Sequence, residues 1–200
     1  MLIDFHANPG SRSPEEFAAA VEAAGLDAVV VTLPNTTKKL EAYLDALEDA
    51  EILAFGGVEL TLDRGALVFV PRVLDDAFLD ARWSPKEARP WALDEALKLL
   101  AGFQGALLAG HPYVREGRSP LGDRIYTIKG LKGIETRIGR GLVTRDRLAD
   151  TAADARGWVK LGSSGGEPDQ LGAAMTVLLA DVDEQDDLVD ALAPDVCFPL

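Results

Sequence analysis

The chain is poor in the residues that staple a fold, anchor it in lipid or give it positive charge. Cysteine occurs once, at Cys197. An intrachain disulfide is thereby excluded, as is a zinc site built on cysteine pairs. No run approaches the ~20 consecutive apolar residues that a membrane-spanning helix needs. The opening Met1-Leu2-Ile3-Asp4-Phe5-His6 meets an acid where a signal peptide would continue its apolar stretch. The expected location is therefore the cytoplasm, with no membrane partner. Basic residues are scarce too: 20 Lys and Arg face 33 Asp and Glu, a net charge of −13. A field of that sign repels polyanions, so general nucleic-acid binding is not expected. No linker-like break, internal repeat or low-complexity segment divides residues 1–200, which read as one domain.

What is present is a series of short apolar strands alternating with amphipathic helices. Apolar residues make up 48% of the chain, enough for a packed core and against disorder. Leu2 to His6 reads as a strand. Ser13-Pro14-Glu15-Glu16 opens a helix, with Ser13 as N-cap, and Gly25 ends it. Asp27 to Thr32 is β-branched and apolar, as in a strand covered on both faces. Thr36 or Thr37 is expected to cap a second helix through Leu40, Tyr43 and Leu47. Glu51 to Phe55 is a strand, and Glu59 to Leu62 pairs with Gly65 to Val70 across the turn Asp63-Arg64-Gly65. Pro71 to Pro90 and Tyr113 to Gly130 read as long loops, with a helix over Leu93 to Phe103 and a strand over Ala106 to Gly110 between them. Further strands are expected at Gly133 to Thr136, Trp158 to Gly162, Met175 to Leu179 and Val196 to Phe198. Helices are expected at Thr144 to Ala155 and Gln185 to Leu192. This β-α-β order with one hairpin predicts an α/β fold with a mostly parallel sheet closed into a barrel.

In parallel α/β folds the chemistry gathers at the C-terminal ends of the strands. Both histidines of the chain fall there: His6 ends the first strand and His111 follows Ala106 to Gly110. A lone histidine at such a place satisfies backbone groups. Two of them, with the glycine-flanked Glu59, point to a shared site. His6, Glu59 and His111 form a two-imidazole, one-carboxylate set able to hold one zinc, manganese or iron ion.

These residues lie in a longer pattern. Asp4-Phe5-His6-Ala7-Asn8, Ser13-Pro14-Glu15-Glu16, Gly25-Leu26-Asp27, Thr32-Leu33-Pro34-Asn35-Thr36, Gly57-Val58-Glu59, Gly110-His111-Pro112, Gly133-Ile134-Glu135 and Gly162-Ser163-Ser164-Gly165-Gly166 occur in that order. Together they resemble the PHP (polymerase and histidinol phosphatase) domain over nearly the whole chain. The resemblance implies a distorted (β/α)7 TIM-like barrel in a single domain, up to three divalent metals at the strand ends, and phosphoester hydrolysis. The chain departs from that pattern at the ligands. Where the family has His-x-His, the chain has His6-Ala7-Asn8. Where the family has Thr-Asp-His-Asn, Leu33 and Pro34 stand in the Asp and His places. In the late Gly-Ser-Asp-x-His motif, Ser164 and Gly166 replace Asp and His. His6, Glu59 and His111 survive, with Glu135 at a position the family often keeps acidic.

Two functional expectations follow. The first is a PHP-like domain with a degraded metal centre, weak or inactive as a phosphoesterase, that serves as a binding module for a small molecule or a protein, with one divalent ion (zinc, manganese or iron) or none. The second is a hydrolase that works with one divalent ion on His6, Glu59 and His111. Arg137, Arg115 and Asn35 are the candidates for binding a small phosphorylated molecule, arginine being the favoured fork for phosphate. Arg118 and Arg140 lie on the same two loops, and Ser163-Ser164-Gly165-Gly166 is a candidate anion nest. A third arrangement makes the Pro71 to Pro90 loop a contact surface, with Trp83 and Trp91 as anchors.

Overall fold

The structure is a computed structural model that describes residues 1–114, 119–139 and 143–200. Alternating apolar strands need cover on both faces, and the chain supplies it by rolling the nine strands among the described residues into one barrel-like sheet. The strands are β1 (Leu2–Ala7), β2 (Ala28–Pro34), β3 (Leu53–Thr61), β4 (Ala66–Pro71), β5 (Gly105–Gly110), β6 (Leu131–Ile138), β7 (Val159–Ser163), β8 (Thr176–Leu178) and β9 (Cys197–Pro199). Their order in the sheet is β7-β6-β5-β4-β3-β2-β1-β8-β9. β1, β2 and β3 pair in parallel, as do β5, β6 and β7. β4 runs antiparallel to both of its neighbours. The expected hairpin is present, with Glu59 opposite Val68 and Thr61 opposite Ala66. The fold is mixed α/β, and its sheet is nearly closed. Across the seam, Ser164 N, just after β7, donates to Asp4 of β1 (3.1 Å), and the hydroxyl of Thr176 on β8 exchanges hydrogen bonds with Gly162 of β7 (2.9 Å each).

Among the described residues six α-helices connect the strands: α1 (Pro14–Ala23), α2 (Leu40–Asp49), α3 (Asp76–Leu79), α4 (Leu93–Leu100), α5 (Val143–Arg156) and α6 (Gln185–Ala191). No helix joins β3 to β4, and β5 reaches β6 through a 3-10 turn at Gly122–Thr127, so the connections are not a regular (β/α)7 series. No helix among the described residues is long and apolar enough to cross a membrane.

The apolar residues divide into two cores, as the period-2 alternation of strands requires. Ile3, Phe5, Val30, Phe55, Val68 and Leu108 fill the barrel, and Leu188 of α6 and Leu192 just after it pack in the same core. Val31, Leu60, Leu67 and Ile134 face outward onto Phe17 and Val21 of α1, Leu40 and Leu47 of α2, and the other helices. Ser13 caps α1 in a full capping box with Glu16. The expected threonine cap on α2 is not formed. Lys39 stands at that N-cap in the left-handed region (φ +69°), and the Thr37 hydroxyl donates to Leu79 O instead (2.6 Å). The Pro71 to Pro90 stretch is not all loop. Asp75 caps the short α3 there, and Trp83 is buried against Phe78 and Phe103. Trp83 therefore belongs to the core and is not available as a surface anchor.

Candidate metal centre at the barrel mouth

Each ligand-type side chain arrives at the mouth on the end of a strand. In β1, Phe5 points into the barrel, so strict alternation would send His6 outward. The pairing of β1 with β2 loses register between Asp4 and Ala7, and His6 turns inward with Phe5. β6 loses register on β7 between Glu135 and Arg137. Irregularities of this kind re-aim side chains beside functional sites. His111 follows β5 with φ +29°, a conformation that costs energy for a residue with a Cβ. Its amide is held by Glu135 Oε2 at 2.5 Å.

The centre is a chain of short polar contacts with little access to water. His6 is fully buried, with Nδ1 2.8 Å from Glu135 Oε1 and Nε2 3.2 Å from Glu59 Oε2. The rings of His6 and His111 lie parallel, centroids 5.9 Å apart. The Ser163 hydroxyl donates to Glu135 Oε1 (2.6 Å). One potential ligand atom from each of His6, His111 and Glu135 lies within 4.8 Å of the others. His111 Nδ1 is buried without a hydrogen-bond partner among the described residues.

Charge at the centre is set by burial and by these contacts together. Burial opposes a charged His6, but Glu135 and Glu59 outweigh it and raise the imidazole well above its usual pKa. Burial likewise works against an ionised Glu135, yet His6, His111 and the Ser163 hydroxyl bring it down to about 2. For Glu59 burial is again overcome by His6, and the carboxyl is lowered. Beneath them Asp4 is fully buried. Its desolvation exceeds the hydrogen bonds from the His6 and Ser164 amides and lifts it to about 6.

The structure brings His6, Glu59 and His111 to one place and adds Glu135. Read from the sequence, Glu135 is an acidic position and no more. Its signal is an acid inside an apolar strand, on the inward parity of Gly133. Asn35 is not among the residues that line the cleft; its side chain is bonded to Thr61, which is. Arg137 does not reach the cleft. Its guanidinium donates to Asp150 (2.9 Å) and to Thr136 O (2.7 Å) on the α5 side. Arg115, Arg118 and Arg140 lie outside the described residues. The Ser163 to Gly166 turn is not an open anion nest, because the Gly165 amide donates to Ser163 Oγ and the Gly166 amide to His6 O.

The departures from the motif have structural explanations. Leu33 faces the outer core, where an apolar side chain is at home. Asn8 accepts from the Gly10 amide, and the Ser164 hydroxyl donates to His6 O. Gly166 has φ +73°, and a Cβ there would lie 2.7 Å from His6 Nε2. Backbone thus packs against His6 where the motif would carry an imidazole. Above the centre opens a cleft of about 270 Å³, lined by Asn8, Pro34, Glu59, Thr61, His111 and Ser119 among others.

The donor set suits a divalent transition metal. A neutral imidazole has one N–H and can satisfy only one of two flanking carboxylates. Here both ring nitrogens of His6 face a glutamate, so the site calls for a positive charge, a proton on His6 or a cation among these residues. Two imidazoles and two carboxylates are ligands that zinc, manganese and iron accept.

No family model and no curated protein matches the sequence. Solved structures do match in fold. A Bifidobacterium adolescentis protein, provisionally assigned as a metal-dependent phosphoesterase, aligns with a TM-score of 0.65 at 15% identity, covering 95% of each chain. An amidohydrolase from Chromobacterium violaceum, with sulfate bound and no metal, aligns at 0.63 and 15% identity over 85% of this chain and 89% of its own. The chain therefore shares the fold of these two proteins.

Proposed function

We propose that this protein is a PHP-type phosphoester hydrolase that works with one divalent ion, held by His6, Glu59, His111 and Glu135. The observation that carries the reading is His6 between two glutamates with His111 stacked beside it, a cluster that calls for positive charge and gathers metal-type donors at one place. The lost motif positions do not scatter this cluster, which weighs against a degraded binding module. An ion in such a place acts as a Lewis acid toward a phosphoryl oxygen and lowers the pKa of bound water.

The chain's own residues supply the rest. Glu135 and Ser163 fix the His6 ring, and Glu135 also fixes the His111 backbone, so the donors are organised before substrate arrives. Glu59 and His111 face the cleft, where a reacting group would lie. No lysine or arginine lines the cleft among the described residues, and an ion at the centre would supply positive charge to a phosphate. The cleft volume suits a small phosphorylated molecule rather than a polymer. The test is elemental analysis after expression with added manganese and zinc, followed by a panel of phosphomonoesters and phosphodiesters. About one ion per chain and turnover are expected, and both should disappear in His111→Ala. A chain without metal and without turnover would overturn the reading.

A further inference from the structure

Every hydrogen-bonding group of Asn35 is engaged, and each bond leads toward or steadies the site. Its amide donates to Glu59 O (2.7 Å), and its carbonyl accepts from the Ser84 hydroxyl (2.8 Å). Its side chain grips Thr61 twice. Oδ1 accepts from the Thr61 amide (3.0 Å), and Nδ2 donates to Thr61 Oγ1 (3.0 Å). The backbone at Asn35 is left-handed (φ +54°), a conformation asparagine tolerates better than most residues. The residue is therefore locked between the end of β2 and the end of β3.

Thr61 passes this constraint on. A hydroxyl has a single proton. With its oxygen accepting from Asn35, that proton is directed to Glu59 Oε1 (3.3 Å). Glu59 Oε2 is held by His6 (3.2 Å). Both carboxylate oxygens are thus tied, one to each side, and the carboxylate plane is fixed. Remove the Asn35–Thr61 link and one anchor remains, about which the carboxylate can turn.

We infer that Asn35 is a positioning residue for Glu59, acting through the Thr61 hydroxyl. The inference rests on the reading of Glu59 as part of the ion-binding set. It replaces the expectation that Asn35 touches substrate.

Two measurements on the full chain test it. The first is Mn²⁺ binding by titration calorimetry. Outer-shell partners of metal ligands are worth about 10- to 100-fold in affinity, so Asn35→Gly, which keeps the left-handed backbone, and Thr61→Val should each weaken Mn²⁺ binding by about that factor. Because the two residues act as one unit, the double variant should bind no worse than the weaker single one. Thr61→Ser, which retains the hydroxyl, should stay within about threefold of wild type, well short of those outer-shell losses. Multiplying effects, or equal losses in Thr61→Ser and Thr61→Val, would overturn the role. The second measurement is the crystal structure of metal-free Asn35→Gly, in which the Glu59 carboxylate should turn about its His6 contact and come away from Thr61. An unmoved carboxylate would overturn the inference. If wild type binds no Mn²⁺, the ion-site reading fails, and the metal-free structure still decides the positioning role.

Discussion

Glu135 makes two contacts from one carboxylate, Oε1 with His6 Nδ1 at 2.8 Å and Oε2 with the His111 amide at 2.5 Å. Strand β6 thereby clamps the ends of β1 and β5 across the barrel mouth. Because the clamp is ionic and buried, it makes stability depend on pH. Glu135 is lowered to about 2, so its contribution is present above its ordinary pKa near 4.5 and fades as pH falls toward 2. His6 is raised, so its contribution is complete below about 6.5 and is lost as pH rises through its folded value. Urea midpoints measured with a chelator present should therefore fall from pH 6.5 to 9, and this limb should flatten in His6→Gln. Removing one partner of such a buried pair costs roughly 3–5 kcal/mol, which His6→Ala should show at pH 6. An identical alkaline limb in wild type and His6→Gln would refute the assignment.

Gly166 lets two adjacent substitutions separate strain from collision. Gly165 and Gly166 both have positive φ, +68° and +73°. Alanine at either position meets the left-handed penalty of about 1–2 kcal/mol. At Gly165 the nearest atom to a new Cβ is 3.4 Å away, but at Gly166 it is His6 Nε2 at 2.7 Å. Gly166→Ala should therefore lose more stability than Gly165→Ala, and it alone should lose Mn²⁺ affinity. Thermal melts with and without Mn²⁺ distinguish the two. Equal effects would mean that Gly166 is present for its backbone alone.

Much of this was legible before any coordinates. Alternation and helix caps gave the succession of strands and helices along the chain, and the position of each histidine at a strand end located the mouth. The hairpin before Gly65 followed from turn chemistry. Other features were not legible because they depend on contacts far apart in sequence. His6 faces inward only because β1 slips its register on β2. Glu135 joins the centre across 129 residues of separation from His6. Arginine type and loop placement pointed Arg137 at substrate, yet Asp150 on α5 draws it away. The α2 cap failed for a similar reason, since Leu79 O offers Thr37 a tertiary partner in place of the helix end.

Asp4 contributes to stability in the same direction as His6 but over a lower range. Its folded value of about 6 lies above the ordinary aspartate value of 3.8, so the native chain holds this proton more tightly than the unfolded one. The stability it contributes is present below pH 3.8 and is lost as pH rises to about 6. At about 1.4 kcal/mol per unit of displacement, the loss is on the order of 3 kcal/mol. The Asp4→Asn variant keeps one side-chain acceptor for the two amides that Asp4 serves, and its carboxamide cannot change charge. The stability difference between wild type and Asp4→Asn should therefore shift in favour of the variant between pH 4 and pH 6.5. Chemical denaturation at those two values measures it. A constant difference would place the ordinary aspartate value at this residue.

The same proton on His6 sets the cost of loading an ion. An imidazole ligand must be neutral, so a cation and the His6 proton compete for one site. With His6 raised by its two glutamates, the metal-free chain still carries that proton at neutral pH. Binding of Mn²⁺ at pH 7 should therefore release close to one proton, and affinity should rise about tenfold per pH unit until the folded value of His6 is passed. Calorimetric titrations in two buffers of different ionisation enthalpy read the released proton directly. His6→Gln should remove both the buffer dependence and most of the affinity. Heats identical in the two buffers would show that His6 is already neutral before the ion arrives, and the pair with Glu135 would then be a hydrogen bond rather than an ion pair.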